Sequence, residues 1–163
     1  MKVASSLLAG TALEAWRSYL QSHSAILREL DADLLAEHGM TTRDYEALLY
    51  LAQSEDRKMA MSALAEHTML TRSGITRLVD GLVKQGLIER VSCDNDARVS
   101  YARLTDAGHA KLVRAGRTHV AGIERLFLER FSPAEIETLA TLLGRLPGAS
   151  CESACQVTDC AVE

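Results

Sequence analysis

Apolar and aromatic residues recur at Leu13, Trp16, Leu20, Leu27, Leu30 and Leu34, with His23 filling the one missing position of the series. Steps of three and four residues are the spacing of a helix that packs lengthwise against other helices. A helix over about 7–35 would be roughly 40 Å long at 1.5 Å per residue. One small domain cannot cover it, so part of its stripe is expected to meet a second subunit. Gly39 marks its end. Thr41 and Asp44 form a capping pair for a second helix carrying Tyr45, Leu48, Leu49 and Ala52. The run SEDRK (54–58) reads as a polar loop, and Ser62 as the cap of a short third helix with Leu64 and Ala65 facing inward. Thr68-Met69-Leu70 reads as a tight turn. Thr71 then caps a fourth helix that buries Ile75, Leu78, Val79 and Leu82 and stops at Gly86.

The texture changes after Gly86. Residues 87–92 and 99–105 are β-capable runs separated by the turn formers of 93–97, the pattern of an antiparallel hairpin. Thr105-Asp106 opens a long helix with Leu112, Val113, Val120, Ile123, Leu126 and Phe127. Ser132-Pro133-Ala134-Glu135 starts a last helix through Ile136, Leu139, Leu142, Leu143 and Leu146, closed by Pro147-Gly148. The expected fold is mainly α with a small β-hairpin wing. A winged helix-turn-helix lobe would span 36–105, a helical dimerisation region 1–35 and 106–147, and a cysteine-containing tail 148–163.

Composition agrees with this picture. The chain has 163 residues, 47% of them hydrophobic, with 4% aromatics and 2 prolines. Such a chain can bury a core and is neither disordered nor collagen-like. No window holds the roughly 18 to 20 apolar residues needed to cross a bilayer. The N-terminal apolar run is interrupted by Ser5, Ser6, Gly10 and Thr11, and the helical pattern runs on through it, unlike a signal peptide. A cytoplasmic location is expected, where thiols stay reduced. The net charge of −4 is uneven: residues 71–117 hold nine Lys and Arg against five Asp and Glu. A basic block in an acidic chain suits local attraction to a polyanion.

A helix that enters the major groove needs a small, polar, hydrogen-bonding N-terminal face opposite an apolar stripe. Arg72, Ser73, Thr76 and Arg77, with Thr71 at the cap, supply that face. The free N–H groups of the helix start also favour phosphate. Further, LTRSGITRLVDGLVKQGLIER followed by DNDARVSYARLTDAG resembles the MarR family of bacterial transcription regulators, and the likeness extends over roughly residues 10–146. The resemblance implies a homodimer with interlocked terminal helices, whose two winged lobes read a pseudo-palindromic operator in double-stranded DNA. It implies that Arg72, Ser73, Thr76 and Arg77 touch bases or phosphates. In the wing element Asp96-Ala97-Arg98, it implies that Arg98 enters the minor groove while Asp96 holds it. An arginine on a hairpin tip independently suits a narrow, electronegative minor groove. Ala97 stands where many relatives carry a second arginine.

The resemblance also implies a small-molecule or redox effector. Trp16, Tyr19, His23 and Tyr45 are candidate pocket residues, although their helical spacing favours ordinary core. Cys151, Cys155 and Cys160 form a C-x3-C-x4-C run among Glu152, Asp159 and Glu163, with no Lys or Arg nearby. No local cation favours the thiolate there, whereas a bound metal would. The spacing and ligand count depart from structural zinc sites, and an iron–sulfur cluster is the leading expectation. Another thiolate-bound metal, thiol–disulfide switching without metal, and an inert tail stay open.

No enzyme motif is present: the chain lacks G-x-S-x-G, a P-loop, G-x-G-x-x-G and H-E-x-x-H. The expectation is a DNA-binding regulator, and a repressor, not an enzyme. Its alternatives are a MarR-type regulator sensing a small aromatic ligand or thiol oxidation without metal, and a helical interaction module that does not bind DNA.

Overall fold

The computed structural model describes residues 9–92 and 100–147. The stripe that opens the chain forms α1 (Thr11–His38), which ends where Gly39 takes a left-handed φ of 62°. Thr41 accepts from the Asp44 N–H, and Asp44 accepts from the Thr41 N–H in return, starting α2 (Thr42–Gln53). Asp31 on α1 also accepts from the Thr42 N–H at 2.8 Å, so α1 helps to cap its neighbour.

The expected polar loop over 54–58 is corrected. A 3₁₀ turn at Glu55–Arg57 leads into a third strand, β1 (Lys58–Ala60). Three residues are too few to show alternation, so this strand leaves no periodic signal. It runs straight into α3 (Met61–His67). The expected Ser62 cap is therefore corrected as well: Ala60, held extended by its pairing with Tyr101, is the N-cap and makes no side-chain cap bond. Then follow α4 (Arg72–Lys84), β2 (Ile88–Ser92), β3 (Ser100–Leu104), α5 (Asp106–Leu126) and α6 (Pro133–Leu143). The sheet is antiparallel with order β1-β3-β2. The mainly helical fold with a small hairpin is as expected, enlarged by one strand.

The core joins Leu34 of α1, Leu48 and Leu51 of α2, Leu64 of α3, the α4 stripe, Ile88 and Leu104 of the hairpin, and Leu112 of α5. Each such side chain contributes about 1.5–3 kcal/mol when fully buried. Close approach between the hairpin and α5 depends on Gly108: a Cβ there would lie 2.1 Å from the Leu87 carbonyl oxygen. The ends of the chain contrast with this centre. Leu30 and Leu34 are the buried residues of α1, whereas Trp16, Leu20 and Leu27 stay exposed. No residue of α6 is buried, although Leu142 and Leu146 lie on it or just beyond it. Within a single chain, two apolar helix faces are left facing solvent.

Candidate nucleic-acid interface

The α4 helix is mounted on one face and open on the other. Ile75, Val79 and Leu82 are at most 1% exposed, and Leu78 is half-buried against the same core. Thr71 caps the helix by accepting from the Gly74 N–H at 3.2 Å, and its hydroxyl lies 3.2 Å from that of Ser73. The Thr76 hydroxyl donates to the Arg72 carbonyl at 2.8 Å, which keeps its lone pairs available as acceptors. Arg72, Ser73 and Arg77 are exposed, and neither arginine has an ion-pair partner among the described residues. Arg72 sets a solvated guanidinium at the positive end of the helix, where phosphate is favoured, and Arg77 adds a second solvated guanidinium further along it.

The hairpin is fastened to this helix at its base. Arg90 of β2 donates to Asp80 of α4 at 2.7 Å, and Arg103 of β3 donates to Glu89 of β2 at 2.7 Å. The Thr105 hydroxyl donates to the Gly86 carbonyl at 2.8 Å while capping α5. The sequence offered no spacing rule for these cross-element pairs. Asp96 and Arg98 lie outside the described residues, as do Cys151, Cys155 and Cys160. Among the described residues there is no group of three His, Cys, Asp or Glu side chains suited to a metal ion.

Three of the four candidate pocket residues adjoin one another, and the fourth lies apart. Trp16 and Tyr19 stack at 6.1 Å and Tyr19 on His23 at 6.2 Å, all along the exposed stripe of α1. Tyr45 is buried instead, 4.7 Å from the His119 ring of α5. Burial holds the His119 imidazole below its usual range, and its Nδ1 has no hydrogen-bond partner among the described residues. His23 alone of the four lines a cleft of about 620 Å³, together with Arg28, Arg43, Glu46, Tyr50 and His67. Burial raises the Glu46 carboxyl, partly offset by Arg43 beside it. Sequence reading missed this cleft because its walls come from three helices.

A sequence model of the MarR family matches residues 38–99. The chain is similar to AbsC, a MarR family transcriptional regulator from Streptomyces coelicolor. The two are 32% identical with a TM-score of 0.77, covering 83% of this chain and 91% of that one. The chain belongs to the MarR family. A second solved MarR family regulator of Streptomyces coelicolor, in complex with DNA, is 30% identical with a TM-score of 0.78, covering 88% of this chain and 93% of that one. The HTH-type transcriptional repressor YetL of Bacillus subtilis is 28% identical over 111 residues, 68% of this chain and 66% of the repressor, just under two thirds of its length. These MarR relatives bear the names of transcriptional regulators, not of enzymes. The span matched by the MarR family model runs from the last residue of α1 to the residue before β3, and so takes in α2, β1, α3, α4 and β2. No helix among the described residues is long and apolar enough to cross a membrane.

Proposed function

We propose that this MarR family chain is a homodimeric, sequence-specific DNA-binding transcription regulator that acts as a cytoplasmic repressor. The observation that carries the reading is the pair of exposed, unpaired guanidinium groups of Arg72 and Arg77 on a helix whose opposite face is buried. Thr71, Arg72, Ser73, Thr76 and Arg77 would meet bases and phosphates in the major groove, and Arg98, steadied by Asp96, the adjacent minor groove. The relative solved with DNA and the repressor YetL support the reading. The uncovered apolar stripes of α1 and α6 support a dimer built from 1–35 and 106–147. Its lobes, one helical turn of DNA or roughly 34 Å apart, would match two half-sites. Replacing Arg72 and Arg77 by alanine should weaken duplex binding roughly tenfold or more while the thermal midpoint stays put. Unchanged affinity in an anisotropy titration at fixed salt would contradict the reading.

The input is proposed at two places. The cleft beside His23 sets Arg28 and Arg43 near the stacked rings of Tyr50 and His67, 4.9 Å apart, and so suits a small aromatic acid. Calorimetric titration with benzoate tests this, and no heat at millimolar concentration would count against it. In the tail, Cys151, Cys155 and Cys160 are proposed as thiolate ligands of an iron–sulfur cluster, supported by their spacing and acidic surroundings. Purification without oxygen, with iron and sulfide analysis, tests that assignment. A colourless, iron-free protein would contradict it.

A further inference from the structure

Met69, in the turn between α3 and α4, is 91% exposed, more than any other large hydrophobic side chain among the described residues. Its backbone is left-handed, with φ at 51°. The Leu70 N–H donates to the Ala65 carbonyl at 2.9 Å and the Met69 N–H to the Glu66 carbonyl at 3.1 Å. Met69 is therefore the left-handed residue that closes α3, a position where a Cβ is penalised and glycine is preferred. An apolar side chain there gains nothing from burial and adds backbone strain. Local stability favours glycine, so the reason for a methionine lies outside the fold of the single chain.

Its neighbours indicate what that reason is. Met69 stands at the rim of two clefts, the one beside His23 and a second of about 660 Å³ that it shares with Arg72 and Thr76, two of the residues proposed for the major groove. The apolar feature presented by DNA in that groove is the 5-methyl group of thymine. Arginine and threonine read hydrogen-bonding edges, and an unbranched thioether can adapt to a methyl group that they leave uncovered. We propose that Met69 is a specificity-determining residue, packing its thioether on a thymine methyl in each half-site beside Arg72 and Thr76. The proposal rests on the DNA-binding reading given above.

Duplexes recovered by in vitro selection with the wild-type chain define the site, and each thymine in them is then replaced by deoxyuridine, which removes only the methyl. Wild-type affinity should fall roughly fourfold at one position per half-site, the effect of one buried methyl. Met69→Gly should bind roughly tenfold more weakly overall and ignore that same replacement. Glycine relieves the left-handed strain, so its thermal midpoint should equal or exceed that of the wild type, which separates weaker binding from unfolding. Met69→Asn, also at home in the left-handed region, should behave like the glycine variant. Wild-type affinity and an unchanged deoxyuridine profile in Met69→Gly would overturn the proposal, as would a wild type indifferent to every thymine methyl. A wild type that selects no duplex at all would instead remove the DNA-binding reading, and this proposal with it.

Discussion

Asp80 on α4 accepts a 2.7 Å hydrogen bond from Arg90 on β2, so the helix proposed to read the major groove and the hairpin proposed to reach the minor groove are joined by one ion pair. Both side chains are more than a third exposed, so the pair adds less than about 1 kcal/mol to stability. Its role is angular: it fixes the strand relative to the helix. Asp80→Asn should leave the urea midpoint nearly unchanged and weaken operator binding roughly threefold to tenfold, the equivalent of a lost contact of about 1 kcal/mol. An affinity equal to wild type would show that the hairpin orients itself without the pair.

Gly108 predicts the opposite balance. A Cβ at this position would meet the Leu87 carbonyl oxygen at 2.1 Å and Leu104 Cδ1 at 2.7 Å. The first of these is backbone and cannot rotate away. Gly108→Ala should therefore cost about 3 kcal/mol or more in chemical unfolding. Gly122 offers a control, because its added Cβ would meet the movable tip of the Leu30 side chain at 2.6 Å. Gly122→Ala should destabilise the chain less.

Most helices were legible because their signals are local. The Thr41–Asp44 and Ser132–Glu135 capping boxes, the Thr71 cap and the left-handed Gly39 all occur where spacing puts them. The α4 face was legible for the same reason: one helix carries both its apolar stripe and its polar N-terminus. β1 was not, since three residues show no period and the strand exists only through its pairing with β3. Tyr45 lies in the core, the reading its helical spacing favours; spacing gives a face but not the element opposite, which here is His119 of α5, distant in sequence. The cleft beside His23 likewise needs the crossing of α1 and α2, which no window of sequence reports.

The buried His119 predicts a pH response. Its folded pKa lies below the ordinary 6.5 because burial disfavours the charged ring. The unfolded chain then binds the proton more readily, so His119 favours the folded state above pH 6.5 and this contribution is lost as pH falls below that value. Glu46, whose carboxyl is raised from 4.5, acts in the opposite sense as pH climbs from that lower point. Thermal midpoints between pH 7.5 and 5.5 should fall for the wild type and fall less for His119→Gln. Equal slopes would mean that His119 stays solvated enough to titrate normally.

Leu142 on α6 is 48% exposed on a helix with no buried residue, and Trp16 on α1 is 51% exposed. A homodimer would cover both. Leu142→Glu should shift the mass seen by light scattering from two chains toward one, and weaken duplex binding in parallel, because a lone lobe holds a single half-site. A wild-type chain that scatters as a monomer at tens of micromolar would contradict the assembly.

The most direct test titrates the wild-type chain with a duplex selected by the chain itself, over a series of salt concentrations, by fluorescence anisotropy. Two chains should bind each duplex, with a logarithmic salt slope of about −4 or steeper, each neutralised phosphate contributing about −0.9. The slope should become shallower when Arg72 and Arg77 are replaced by alanine. A folded sample that gives no anisotropy change with any duplex at low salt would rule out DNA binding by this chain.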